Sequence, residues 1–276
     1  MSAFPKIIYG TAWKAERTTD LVVKAVLQGF RAIDTACQPK HYREDLVGEA
    51  LSVLDTQHGI KRDHLFIQTK FTSIDGQDRT KPLPYNPDQA IRAQVRESFA
   101  KSLTNLQTTR LDALLLHSPL RTTHDTLEAW GELVALRDEG SVKLIGISNI
   151  YDPELLQNIW EVSGVKPDIV QNRWYSGNAW DRGVVDFCTE HSIHYESFWT
   201  LTGSPKLLRN STLLSLAQKA SCTPEQALFR FAQDMGITPL AGSQNEQRMK
   251  DGVLVDTLPA LDFELSEQIR HFIGYT

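Results

Sequence analysis

LDALLLHSPLRTTHDTLEAWGELVALRDEGSVKLIGIS, residues 111–148, holds the fold in miniature. It opens on an apolar run, LDALLLH (111–117), and closes on another, VKLIGIS (142–148). Between them, residues 124–139 have helical periodicity and Gly140 stands where that helix must stop. An apolar strand, a helix long enough to cross back and a second buried strand make a parallel βαβ unit.

The same alternation extends in both directions. Further strand-like runs are IIYG (7–10), RAID (31–34), LFIQTK (65–70), DIVQN (168–172), IHYESF (193–198) and ITPLAG (237–242). Helices are predicted near 19–29, 44–57, 87–106, 152–163, 181–191, 210–220 with 224–235, 244–252 and 265–273. Asp152-Pro153-Glu154 and Thr223-Pro224-Glu225 each place a capping side chain before a proline at the first helical position. Eight strands alternating with helices in 276 residues predict an α/β fold, one (β/α)8 barrel domain spanning 1–276. A doubly wound open sheet competes, but it would carry a G-x-G-x-x-G turn after its first strand, and no such turn is present.

Hydrophobic residues make up 41% and charged residues 23% of the chain, enough for a sizeable core. A net charge of −5 and the lack of a basic run argue against nucleic acid as a partner. No apolar stretch approaches the ~18 residues of a membrane span, and MSAFPKIIYG lacks a signal-peptide pattern. Cys37, Cys188 and Cys222 are widely spaced and odd in number, so neither a disulfide framework nor a metal site is expected, and a cytoplasmic location is. Cys37 has no base partner nearby in sequence and reads as a passenger.

In a closed barrel the C-terminal strand ends meet at one mouth. Asp34, Lys70 and His117 end the second, third and fourth runs. Ser148 and Asn149 end the fifth, Gln171 and Asn172 the sixth, and Ser243 follows the eighth. A charged residue finishing a buried strand needs a partner, and Asp34 and Lys70 on adjacent strands can provide it for each other. Tyr42 lies eight positions beyond Asp34, across the segment CQPKH (37–41). A lysine ammonium held near it by Asp34 is expected to lower its pKa from ~10 toward that of a general acid. A neutral His117 could orient a carbonyl oxygen. Asp34, Tyr42, Lys70 and His117 together suit protonation of an oxygen while hydride reaches its carbon.

These markers, DTA (34–36) with Tyr42, QTK ending at Lys70, LLLHSP around His117 and GISN (146–149), resemble the aldo-keto reductase family from GTAW (10–13) to SQNEQR (243–248). The resemblance implies a (β/α)8 barrel reducing an aldehyde or ketone with NADPH, with Tyr42 as general acid. It further implies carboxamide contacts from Ser148, Asn149 and Gln171, an aromatic stacked on the nicotinamide (Phe198, or Trp199), and backbone near Leu201 at the pyrophosphate. Ser243 and Arg248 would meet the adenosine end. Gly242 stands where many members carry a lysine on the 2′-phosphate, which leaves NADH possible beside NADPH. Trp13, Trp174, Tyr175 and Trp199 at strand ends suggest an aromatic substrate pocket.

A small-molecule carbonyl substrate and a monomer, without membrane or metal, complete the expectation. Two other readings stay open on residues alone: a nucleotide-binding sensor barrel with little turnover, and a non-redox enzyme such as an isomerase. Two long segments, 71–88 and 200–210, would lie at the mouth.

Overall fold

In this computed structural model, which describes residues 4–275, eight parallel strands close into a barrel in sequential order. The chain runs β1 (Ile8–Gly10), α1 (Thr18–Leu27), β2 (Ala32–Asp34), α2 (Glu44–His58), β3 (Phe66–Phe71), α3 (Ile91–Asn105), β4 (Leu111–Leu116), α4 (Thr123–Asp138), β5 (Val142–Ser148), α5 (Pro153–Ser163), β6 (Ile169–Arg173), α6 (Arg182–Glu190), β7 (His194–Phe198), α7 (Ser211–Lys219), α8 (Pro224–Asp234), β8 (Ile237–Ala241), α9 (Glu246–Leu254) and α10 (Phe263–Phe272). The barrel closes where Tyr9 of β1 pairs with Ala241 of β8. None of the helices among the described residues is long and apolar enough to cross a membrane.

The expected strands lie within a residue of the observed ones. Larger differences fall at helix starts. The helix expected from residue 87 begins at Ile91, because 72–90 takes irregular structure of its own. At α9 the capping residue is Asn245, whose Oδ1 accepts from the Arg248 N–H at 3.0 Å. The side chain two residues earlier, Ser243, instead accepts from the Asn245 N–H at 3.1 Å.

Most apolar mass lies between the strands and the helical ring, with Trp130 and Trp174 among its largest buried side chains. The barrel interior is different. At its N-terminal end Ala113, Leu115 and Ile169 pack with Phe4, Phe66 and Leu144, and Phe4 stacks on His194 at 4.1 Å between centroids. One layer nearer the C-terminal ends, the period-2 alternation along each strand brings in Asp34, Gln68, Gln171 and Glu196, all buried. The strands approach closely there: a Cβ on Gly146 would lie 2.3 Å from the Ile169 carbonyl oxygen, so the glycine of GISN is a packing requirement.

Candidate active site

Lys70, 1% exposed at the end of β3, donates from Nζ to Asp34 Oδ1 at 2.5 Å and to the Thr35 carbonyl at 2.9 Å. The expected pair therefore forms across adjacent strands. The same ammonium lies 5.6 Å from the centroid of the Tyr42 ring, and the His117 ring meets Tyr42 edge-on at 5.9 Å. Asp34, Tyr42, Lys70 and His117 converge at one place.

Tyr42 reaches that place because the CQPKH segment is built rather than loose. Beyond Asp34 the chain continues to pair with β3, the Cys37 N–H donating to the Lys70 carbonyl at 3.1 Å. It then coils tightly, with the N–H groups of His41 and Tyr42 both donating to the Gln38 carbonyl. The long loop after β3 braces this coil. Gln77 Nε2 donates to the Cys37 carbonyl at 3.0 Å and to the Thr72 carbonyl at 3.2 Å. Gln38 Nε2 donates to the Gly76 carbonyl at 2.8 Å, and Lys81 Nζ to the Pro39 carbonyl at 3.2 Å. On the other flank His41 stacks on Trp13 at 3.7 Å between centroids, and the Trp13 N–H donates to the His41 carbonyl. Cys37 is enclosed by this packing, and burial pushes its thiol pKa up, away from nucleophilic use.

The electrostatics correct one expectation. Tyr42 is held well above the ordinary tyrosine range, not below it, first by burial and then by the Asp34 charge. Lys70 is paired with Asp34, whose charge offsets the pull of the ammonium on a phenol that has lost its water. His117 is pushed down to about 3 by burial, with Lys70 and His41 acting in the same direction. It is neutral at physiological pH, as its expected role requires. Thr72 Oγ1 sits 2.7 Å from His117 Nδ1.

The residues expected to hold a nicotinamide cluster with these groups but are largely engaged. Asn149, with φ of 53°, donates from Nδ2 to the His117 carbonyl at 2.8 Å and to Ser148 Oγ at 3.2 Å. Ser148 Oγ donates to the Gln171 carbonyl at 2.7 Å. Gln171 turns its Nε2 into the barrel, donating to Asp34 Oδ1 at 2.9 Å and Glu196 Oε2 at 2.8 Å, which leaves only its Oε1 for a ligand.

The expected aromatic wall divides. Trp13 is 69% and Trp199 47% exposed, both at left-handed φ values of 61° and 64°, and Tyr175 meets Trp199 edge-on at 5.4 Å. The Arg173 guanidinium lies over both rings at the end of β7, 5.7 Å from the Phe198 centroid and 5.0 Å from that of Trp199, and Trp199 is the more exposed of the two. Trp174 does not line a mouth. It is fully buried against Trp180, its Nε1 donating to the Tyr275 hydroxyl at 3.3 Å, because strand alternation turns it toward the helices. Leu201 packs against the core in the tight turn after β7, where the Gly203 N–H donates to the Trp199 carbonyl at 2.7 Å.

Three polar residues escaped the sequence reading: Gln68 and Glu196 in the barrel interior, and Lys14 after β1. Glu196 is fully buried, and only the pairing of β7 with β6, Gln171 against Glu196, reveals its neighbours. Its signal was a carboxylate in the middle of a strand, flanked by Tyr195 and Ser197. Among the described residues one His–carboxylate group has metal-ligand spacing, His124, Asp125 and Glu128, at the first turns of α4.

The chain belongs to the aldo/keto reductase family, whose model matches residues 6–270. It is accordingly an NAD(P)H-dependent oxidoreductase that reduces carbonyl groups. It is 29% identical to methylglyoxal reductase DkgA of Yersinia pestis over 93% of this chain and 83% of that protein. With glyoxal reductase of Bacillus subtilis it shares 27% identity over 91% of this chain and 80% of that one. A solved structure of a Gox0644 variant in complex with NADPH superposes with a TM-score of 0.80 at 26% identity, covering 97% of this chain and 89% of that one.

Proposed function

We propose that the protein reduces small aldehydes or ketones with NADPH, Tyr42 delivering the proton and His117 placing the carbonyl oxygen. The observation that carries this reading is the convergence of Tyr42, His117 and the Lys70–Asp34 pair at one mouth.

Bound NADPH supplies the hydride. Everything else falls to the chain. With Thr72 Oγ1 donating to Nδ1, neutral His117 carries its proton on Nε2 and can donate it to the substrate oxygen. Tyr42 holds its proton firmly in the resting protein, and this does not disable it. As the carbonyl becomes an alkoxide, the oxygen's basicity approaches that of hydroxide, whose conjugate acid has a pKa of ~15.7. Transfer from a buried phenol is then favourable, and Lys70 stabilises the phenolate as it forms. Exposed Trp13 and Trp199 offer flat apolar surface to the rest of the substrate.

Whether the chain suits a dinucleotide is answered by its own donors. Lys14, Arg17 and Arg248 form no ion pair among the described residues, and Ser204 Oγ, in the turn after β7, is buried without a partner. Unmatched cations and an unmatched hydroxyl suit phosphate oxygens. In this reading Ser148, Asn149 and Gln171 hold the carboxamide, Phe198 or Trp199 the ring, Leu201 the pyrophosphate and Ser243 with Arg248 the adenosine end. Free thiols at Cys37, Cys188 and Cys222 are in keeping with work in the reducing cytoplasm, where we propose that the chain acts as a monomer.

The test is oxidation of NADPH, followed by its absorbance, against a panel of aldehydes, ketones and small dicarbonyls. Tyr42→Phe should lose turnover by about a thousandfold or more while still binding nucleotide. Wild-type turnover in that variant refutes the mechanism.

A further inference from the structure

Lys14 follows β1 and is 6% exposed. A buried ammonium ordinarily pairs with a carboxylate, yet the partner of Lys14 is a neutral oxygen, the carbonyl of Gly242, 228 residues away across the barrel closure. The Tyr9 ring lies below it, 5.7 Å from Nζ to centroid. The titratable group nearest in effect is Arg17, a like charge, and burial with that repulsion lowers the Lys14 pKa to about 8. The turn that aims this side chain is itself strained. Trp13 and Ala15, on either side, both take left-handed φ values, 61° and 48°, each costing about 1 kcal/mol for a side chain larger than glycine.

Arg17 points the same way, donating from Nη1 to Gln244 Oε1 at 2.9 Å. Arg248 stands in the first turn of α9 and, like Lys14 and Arg17, makes no ion pair among the described residues. Carboxylates are close by but committed: Asp20 and Glu246 both pair with Lys24, at 3.2 and 3.1 Å. The chain as a whole is acidic, 34 Asp and Glu against 29 Lys and Arg, so three unpaired cations around residues 242–248 do not reflect a surplus of basic residues. Gly242 contributes no side chain, and a Cβ there would lie 3.6 Å from Lys14 Nζ. The ammonium occupies the space a residue at 242 would point into.

We infer that Lys14 and Arg17, carried by the β1–α1 turn, complete with Ser243 and Arg248 the site that grips the 2′-phosphate of NADPH. This inference rests on the cofactor reading above and deepens it. Lys14 stands in for a cation at position 242, releasing the Gly242 carbonyl when the phosphate dianion arrives. Arg17 closes from the outer side, and Ser243 with Arg248 from the α9 side. Discrimination against NADH follows from the β1–α1 turn as much as from α9.

The experiment uses the full chain and two probes, 2′,5′-ADP and 5′-ADP, titrated by calorimetry without any carbonyl substrate. Wild type should bind 2′,5′-ADP more tightly. Lys14→Met should weaken 2′,5′-ADP about tenfold and leave 5′-ADP within about twofold, the loss of one charge-assisted contact. Arg17→Ala, at an exposed position, should act in the same sense without disturbing the core. Because Lys14→Met withdraws the ammonium from the space a side chain at 242 would enter, Lys14→Met combined with Gly242→Lys should restore the preference. Equal weakening of both probes would overturn the inference, placing Lys14 on the shared diphosphate or in the scaffold, and so would no weakening at all. Retained discrimination in a protein that reduces no carbonyl would sink the reductase reading and leave this site standing.

Discussion

Asp34 and Glu196, two buried carboxylates on β2 and β7, are joined by the same pair of amides. Gln68 Nε2 donates to Asp34 Oδ1 at 2.9 Å and to Glu196 Oε2 at 2.8 Å, and Gln171 Nε2 does so at 2.9 and 2.8 Å. Lys70 supplies one positive charge to this ring, on the Asp34 side. Two carboxylates and one ammonium leave an excess negative charge in a dry interior, so one acid must resist ionisation. Glu196 is that acid, pushed up to about 7 by burial, with Asp34 adding to the rise against the pull of the two glutamines and Lys70.

Stability should record this proton. Between pH 4.5, the ordinary value for a glutamate, and about 7, the folded protein keeps a proton that the unfolded chain has released. Stability from this group is therefore full at the acid end of that window and is lost as pH rises through it. At ~1.4 kcal/mol per pH unit the loss approaches about 3 kcal/mol. Glu196→Gln mimics the protonated acid and should not suffer it. Denaturant midpoints from pH 4.5 to 8 should show wild type falling relative to the variant up to pH 7 and running parallel above. Parallel curves throughout would mean that Glu196 does not titrate there.

Turnover should feel the same proton. The groups facing Glu196 are Asp34 on β2, Gln68 and Lys70 on β3, Gln171 on β6 and, by register, Thr238 on β8. Charging Glu196 adds a second anion behind Lys70, which makes phenolate at Tyr42 harder to form and slows protonation of the substrate. The rate of carbonyl reduction should fall severalfold as pH rises through about 7, and the step should vanish in Glu196→Gln. His117, neutral above about 3, should add no limb near 6.5. A step that survives in Glu196→Gln would assign the titration elsewhere.

How much of this could be read beforehand depended on the distance over which residues interact. Strand–helix alternation is local, so 111–148 disclosed a βαβ unit and its repetition a barrel. Asp34, Lys70 and His117 were legible because a polar side chain ending an apolar run has few explanations. Gln68 and Glu196 were not, since each sits inside a strand and acquires meaning only from the register of β2 with β3 and β6 with β7. Lys14 was invisible for a similar reason, its contact crossing the barrel closure. Trp174 misled because a strand end specifies height in the barrel, not which face a side chain takes.

Tyr42 is placed by a segment with no helix or strand of its own, so its support should be separable from its chemistry. Gln77, 8% exposed, ties the Cys37 and Thr72 carbonyls together. Gln77→Ala leaves both acceptors without that donor, at about 1–3 kcal/mol, and frees the coil to drift. Turnover should drop about tenfold with nucleotide affinity unchanged, because misplacement of a proton donor by a fraction of an ångström is felt in rate and not in binding at a distant site. Equal loss of nucleotide affinity would show instead a general loosening of the mouth.

His117 depends in the same way on Thr72, whose hydroxyl lies 2.7 Å from Nδ1. Thr72 is buried next to the Tyr85 hydroxyl, which donates to the Thr72 carbonyl at 2.8 Å, so its side chain cannot be replaced by water without rearrangement. Thr72→Val keeps the shape and removes the hydroxyl, leaving a buried imidazole nitrogen unsatisfied and the proton free to occupy either nitrogen. Whenever the proton sits on Nδ1, Nε2 has nothing to donate to a carbonyl oxygen. The rate constant kcat/KM for reduction should fall about ten- to hundredfold, with little change in nucleotide affinity, and Thr72→Ser should recover most of it. A Thr72→Val enzyme as active as wild type would mean that His117 is oriented by its backbone contact with Asn149 alone.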